Sequence, residues 1–139
     1  MLTDVVARLR RALRAGIRAE YPAETLPATH VEILQILAEQ PGIRVGDVPG
    51  ALGLAQSTVS ALIRQMAEHG LVERAGAPAD RRVVLVSLTD AGARLLADWH
   101  EAHRLRINAA LGALEADQRL AIGRALPALD LLADQINTL

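Results

Sequence analysis

Between Gln56 and Glu68 the chain sets Ser57, Ser60, Ala61, Arg64 and Glu68 along one side of a helical wheel and Val59, Leu62, Ile63 and Met66 along the other. The outer side is small and polar at its start, with one long cation a turn or two later. Small side chains let a helix approach another surface closely, while hydroxyls and a guanidinium supply hydrogen bonds; a DNA major groove suits such a face. An ordinary amphipathic surface helix has the same pattern, so the segment alone leaves both readings open. Other groups with chemical reach are few. Asp80-Arg81-Arg82 puts two guanidinium groups beside a carboxylate. His100 and His103, with Glu101, lie on neighbouring helical turns that could share a zinc ion, although His-x-x-His spacing by itself supplies no third ligand. His30, His100 or His103 could pair with a carboxylate, but no nucleophile, phosphate loop or paired-acid motif accompanies them. The expectation is a non-enzyme with no cofactor and no metal.

Those residues need elements to hold them. Leu2, Val5, Val6, Leu9, Leu13 and Ile17 predict a helix from Thr3 to about Glu20, with Arg8, Arg10, Arg11, Arg14 and Arg18 mostly off its apolar stripe. These five arginines read as phosphate contacts or as a solvated helix face. Pro22 and Pro27 bracket a short loop. A second helix starts near Ala28 or Thr29 and ends at Pro41-Gly42. Arg44-Val45 can form a short extended piece, and a third helix covers Asp47 to Leu52, where Pro49 falls in the first turn and costs no hydrogen bond. Gly53 turns the chain into the opening segment, which gives two short helices joined by a tight glycine turn, the helix-turn-helix pattern. Gly70 closes the second of them. Two β-prone runs, Leu71–Arg74 and Val83–Leu88, flank a Gly/Pro/Asp loop and predict a hairpin. Thr89 caps a further helix to about Leu114, with Asp90 well placed against its dipole. Glu115-Ala116-Asp117 starts a last helix, which Pro127 should bend. The fold class that follows is mainly α with a small β-hairpin wing.

Composition sets outer limits. A chain of 139 residues is one domain, or one domain with an oligomerisation element. Half of it is apolar, yet it has no Phe, one Trp and one Tyr, so the core must be Leu, Val, Ile and Ala. The absence of Cys excludes disulfides, thiolate ligands and thiol redox sensing. All 15 basic residues are Arg, against 16 Asp plus Glu, and a net charge of −1 argues against a nonspecific polycation while leaving a local basic surface open. No apolar run approaches the roughly 20 residues that span a bilayer, and Met1-Leu2-Thr3-Asp4 lacks a signal-peptide pattern. The expectation is a cytoplasmic protein with no membrane partner.

The order of these signals resembles the MarR-type bacterial transcriptional regulators. The residues that carry the resemblance are Leu52-Gly53-Leu54-Ala55-Gln56-Ser57-Thr58-Val59-Ser60, Gly70-Leu71-Val72-Glu73-Arg74, Asp80-Arg81-Arg82 and Val86-Ser87-Leu88-Thr89-Asp90-Ala91-Gly92. Two departures stand out: Ala55 occupies a position where many members have a capping Ser or Asp, and Val48-Pro49-Gly50 replaces the usual Leu-Ala pair. The resemblance implies a winged helix-turn-helix lobe at 28–94 between dimerisation helices at 1–27 and 95–139.

It also implies functions for named residues. Gln56, Ser57, Thr58, Ser60, Ala61 and Arg64 would face double-stranded DNA, with Thr58 and the helix amides on phosphate and Arg64 on a guanine edge. Arg81 and Arg82 would sit at the wing tip in the minor groove, with Asp80 orienting a guanidinium through a charge-assisted bond. For Arg82 the alternative is a purely structural pair with Asp80; Arg74, at a strand end, would support the wing or touch DNA. The apolar terminal helices imply a homodimer with recognition helices about 34–36 Å apart on a pseudo-palindromic operator. A small-molecule effector would lie between the dimer base and the DNA-binding lobe, with Tyr21, His30, Trp99 and His103 as candidate lining residues and packing as the alternative for each. The function implied is a repressor of neighbouring genes relieved by that effector. A winged-helix protein-interaction module without DNA binding, or a zinc-responsive regulator, is the alternative.

Overall fold

The computed structural model describes residues 1–20 and 27–139; Tyr21 and Pro22 lie outside them. Six helices and three strands follow in the order α1 (Leu2–Glu20), α2 (Ala28–Glu39), β1 (Ile43–Arg44), α3 (Val48–Leu52), α4 (Gln56–Glu68), β2 (Val72–Gly76), β3 (Val84–Leu88), α5 (Asp90–Gly112) and α6 (Ala116–Asn137). A single 3-10 turn, Val45–Asp47, leads into α3. The helix boundaries agree with the periodicity to within a residue or two. The sheet does not. Instead of a two-stranded hairpin it has three antiparallel strands in the order β1-β3-β2, with Ile43 opposite Val86 and Arg44 opposite Leu85. Two residues are too few to show a period, so β1 exists because the free edge of β3 recruits it.

The core is aliphatic, as a chain without Phe requires. Val31, Ile33, Leu34 and Leu37 of α2, Val48 of α3, and Val59, Ile63 and Met66 of α4 pack with Val72, Val86 and Leu96. This cluster fixes the helix-turn-helix against the sheet and the start of α5. Leu62, placed on the same stripe, is half-buried at its border.

Three local devices set the angles between elements. Gly53 ends α3 in the left-handed region, with φ +65°, and Leu54 donates back to the Pro49 carbonyl. Gly70, with φ +71°, ends α4 in a Schellman motif: Leu71 N–H donates to Met66 O at 3.0 Å and Gly70 N–H to Ala67 O at 3.0 Å. Thr89 then ties both ends of the wing to the helices. Its hydroxyl donates to Gly70 O at 2.5 Å and accepts from Gly92 N–H at 3.1 Å, while its own N–H donates to Leu71 O at 3.1 Å.

Gly92 is needed at this junction for space. A Cβ there would lie 2.0 Å from the Leu71 carbonyl oxygen and 3.0 Å from its carbon, both backbone atoms that cannot swing aside. Gly92→Ala is therefore expected to destabilise the fold by about 1–3 kcal/mol, outweighing alanine's better helix propensity. Urea unfolding checks this; an unchanged or raised midpoint would sink it.

The last helix contrasts with this lobe. A capping box of Glu115 and Gln118 starts it, and it continues through Pro127 without a break. Every residue of α6 is exposed, including Leu120, Ile122, Leu126, Leu129, Leu131, Leu132 and Ile136. In α1 the stripe divides: Ile17 is buried against the rest of the chain, whereas Leu2, Val5, Val6 and Leu9 are exposed. Among the described residues, no helix is long and apolar enough to cross a membrane.

Candidate nucleic-acid interface and the cavity behind it

With Val59, Ile63 and Met66 buried, the opposite face of α4 is forced outward. Gln56, Ser57, Thr58, Ala61 and Arg64 are exposed and Ser60 is half-buried. Ala55 occupies the N-cap position in an extended conformation, and no side chain caps the helix. Neither Gln56 nor Ser57 substitutes for the missing cap, so the first-turn amides point outward without a protein partner. Such amides and the positive end of the helix dipole attract anions. Ala55→Ser is expected to raise unfolding free energy by about 1 kcal/mol, read as a higher urea midpoint at constant slope. No gain would mean that the helix start is already satisfied by solvent.

The wing is closed by backbone bonds. Val83 N–H donates to Asp80 O at 3.1 Å, and Ala77 N–H donates to Val83 O at 2.9 Å. Asp80 plays a different part from the one expected of it. Its carboxylate accepts the backbone N–H of Arg82 at 2.9 Å and pairs with no guanidinium. An Asx-type turn of this kind shapes the tip and leaves the arginine side chains unengaged. Arg81 and Arg82 are both exposed there. Arg74 stands in the middle of β2, opposite Val86, and not at a strand end; it too is exposed. Ion pairs join Met1 to Asp4 and Glu101 to Arg104. Arg64, Arg74, Arg81 and Arg82 are in neither.

Behind this lobe, α1, α2 and α5 enclose a cavity of about 270 Å³. Leu13 and Ile17 of α1 and Val31 of α2 give it an apolar lining, with Arg10, Arg14, Ala28, Glu32, Gln35, Trp99 and His103 around it. The Trp99 and His103 rings lie 3.7 Å apart between centroids, tilted by 35°. His103 Nδ1 sits 2.8 Å from the Trp99 carbonyl oxygen. A carbonyl only accepts, so Nδ1 carries the hydrogen and Nε2 is the nitrogen left for another partner. Of the four residues named from the sequence for this place, Trp99 and His103 line the cavity and Tyr21 is outside the described residues. His30 is not in the lining: it falls about 200° round the helix from Ala28, away from the face that carries Val31, Glu32 and Gln35. It is half-buried, and its Nδ1 lacks a hydrogen-bond partner.

The sequence reading missed Arg10, Arg14, Glu32 and Gln35. Their spacing held a signal, since residues four or three apart share a helix face, but only packing reveals that the two faces meet. Gly16 shows how close that packing is, because the Arg106 side chain occupies the space where a Cβ would stand.

The zinc grouping is taken apart by the same helix. Glu101 binds Arg104 through both carboxylate oxygens, at 2.7 Å each, and this bonding holds its carboxyl below the usual range. His100 packs edge-on against Trp99 with centroids 5.2 Å apart, and His103 is held to the Trp99 carbonyl. Among the described residues no group of three or more His, Cys, Asp or Glu could hold a metal.

Comparison with known proteins bears on this arrangement. Residues 26–84 match the sequence profile of the MarR family. The chain is 43% identical over 63 residues to the uncharacterized HTH-type transcriptional regulator YsmB of Bacillus subtilis, a match spanning 45% of this chain and 43%, less than half, of that relative. The transcriptional repressor CouR, solved bound to a 23-mer DNA duplex, superposes with a TM-score of 0.70 over 94% of this chain and 92% of its own, at 23% identity. BpsR of Bordetella bronchiseptica, whose DNA binding is regulated by 6-hydroxynicotinic acid, superposes with a TM-score of 0.65 over 93% of this chain and 98% of its own, at 26% identity.

Proposed function

We propose that this chain, whose residues 26–84 match the MarR family profile, is a dimeric, sequence-specific DNA-binding regulator that represses neighbouring genes until a small-molecule effector releases it. The observation that carries this reading is a helix locked into the core by Val59, Ile63 and Met66, with Arg64 left exposed and outside any ion pair, and followed by a hairpin tip presenting Arg81 and Arg82. A recognition helix needs that combination. Its inner face must be immobile so that its outer face keeps one register, and its cations must be available to DNA and not neutralised within the protein.

In this reading Gln56, Ser57 and Thr58 meet phosphate at the uncapped start of α4, Ser60 and Ala61 pass close to base edges, and Arg64 bonds guanine O6 and N7. Arg81 and Arg82 track the minor groove beside the recognition helix, where narrow A·T-rich segments attract arginine. Arg74 supports the wing from its middle. One lobe reads only a few base pairs, so two are required. The exposed apolar faces of α1 and α6 support pairing of two copies, which sets half-sites about one helical turn apart.

The cavity provides the means of release. It is bounded by α1 and α5, which join the dimerising part, and by α2, which belongs to the DNA-binding core. A ligand held between them shifts the lobe spacing if it favours the state that does not fit DNA. The regulation of BpsR by a small aromatic acid supports a ligand of that general kind here. The reading is tested by footprinting the DNA upstream of the chain's own gene at several salt concentrations. Two-fold-symmetric protection, weakening as salt rises, is expected; no protection on any genomic fragment would overturn the regulator assignment.

A further inference from the structure

A helix and a hairpin grip one duplex together only if the angle between them is fixed. In this chain that angle depends on little covalent structure. Three residues, 69–71, separate the end of α4 from the start of β2, and Thr89 alone separates β3 from α5. Gly70 stands in the first of these links at φ +71°, and a glycine has more backbone freedom than any other residue. Left to itself, the link would let the wing swing about the end of α4.

The peptide unit between Gly70 and Leu71 is instead held from both sides. Its N–H, that of Leu71, donates to Met66 O at 3.0 Å and so belongs to α4. Its carbonyl, that of Gly70, accepts the Thr89 hydroxyl at 2.5 Å. The next carbonyl, of Leu71, accepts the Thr89 N–H at 3.1 Å, and Gly92, without a side chain, lets the first turn of α5 close on that same oxygen. Any residue but proline makes the backbone bond; the hydroxyl bond is a property of the side chain. A hydroxyl has one hydrogen and two lone pairs. Thr89 gives the hydrogen to Gly70 and uses a lone pair for Gly92 N–H at 3.1 Å. Capping α5 requires only the lone pair. The donated hydrogen is surplus to the cap, and it joins the start of α5 to the link between α4 and the wing.

We propose that Thr89 is a positioning residue for DNA binding. Its hydroxyl, bound to the Gly70 carbonyl, sets the angle between α4 and the wing so that Arg64, Arg81 and Arg82 reach one duplex at the same time. This rests on the reading of α4 and the wing as the DNA interface. Donor and acceptor are separable by substitution. Thr89→Ser keeps both, whereas Thr89→Asp keeps a capping oxygen for Gly92 and has no hydrogen for Gly70.

The full chain and both variants are footprinted on the DNA upstream of the chain's own gene. Guanine N7 methylation reads the major groove under α4, and hydroxyl-radical cleavage reads the minor groove under the wing. Thr89→Asp is expected to lower affinity about tenfold, the scale of one hydrogen bond lost in each of two lobes. At saturating protein it should keep the guanine protection and lose that of the minor groove. The added charge alone would lower affinity without changing the pattern at saturation. In the free protein, amide exchange should speed up about tenfold at Leu71 and stay unchanged at Gly92. Thr89→Ser should match the wild type throughout. Wild-type protection of both grooves by Thr89→Asp, or unchanged exchange at Leu71, overturns the proposal. So does fast exchange at both amides, which would mean that Thr89 acts through the fold as a whole. If the wild type itself protects no DNA, the interface reading fails and this assignment with it; if only the Thr89→Asp pattern stays as in the wild type, this assignment fails alone.

Discussion

Arg64→Ala combined with Arg82→Ala is expected to lower affinity for the operator by at least about a hundredfold, with no measurable change in folding. The size follows from what each side chain would do. A guanidinium bidentate to guanine is worth roughly 1–3 kcal/mol of discrimination, and a dimer makes that contact twice. Arg82 adds charge at a groove that it does not need to read base by base, so its loss weakens binding across sequences and flattens the salt dependence by about one unit per phosphate contact removed. The two substitutions are therefore separable. Arg64→Ala should relax preference at one position of each half-site, whereas Arg82→Ala should lower affinity evenly. Both side chains are exposed and outside any ion pair, so truncation leaves no buried group unpaired, and stability should stay within about 0.5 kcal/mol. Mobility-shift titrations over a salt series decide the matter. A double variant that binds as the wild type does would remove α4 and the wing tip from the interface.

The elements that carry those arginines were readable in the sequence because their signals act over one or two turns. Val59, Ile63 and Met66 repeat at helical spacing, Gly53 and Gly70 occupy left-handed positions that other residues resist, and Thr89 caps within three residues of itself. What could not be read depends on distant neighbours. Asp80 beside two arginines suggests an ion pair, but a turn places the Arg82 amide closer to the carboxylate than either guanidinium. His30 has the right chemistry for a ligand site, yet it stands about 200° round α2 from Ala28, on the side of Leu34 and Leu37 and away from the face that lines the cavity. Arg10 and Arg14 look like part of a solvated basic helix until Glu32 is brought opposite them. Local pattern thus located the candidate DNA-binding face, while the composition of the cavity required the packing of three helices separated by up to about ninety residues.

Leu129→Asp combined with Ile136→Asp is expected to weaken self-association by at least about a thousandfold and to abolish operator protection, although neither residue is near α4. Within a single chain α6 buries none of its residues: all are exposed, with Leu126 at 57% and Ile136 at 60%. A 22-residue helix with Ile122, Leu126, Leu129 and Ile136 along one side does not remain so in water unless a second surface covers it. The exposed start of α1, with Leu2, Val5, Val6 and Leu9, offers surface of the same kind. Burying each large aliphatic side chain is worth roughly 1.5–3 kcal/mol, and four such positions change in a symmetric pair. Unpaired carboxylates placed in an apolar interface add a desolvation cost. The core of α2, α3, α4, the sheet and the start of α5 contains no residue of α6, so the lobe should keep its fold in the variant, which far-ultraviolet dichroism can verify. Sedimentation equilibrium then separates the possibilities: a wild-type chain that stays monomeric at micromolar concentration would refute the pairing. If it pairs and the variant does not, loss of operator protection follows with Arg64 and Arg82 intact, because each lobe is left to bind a half-site without the other.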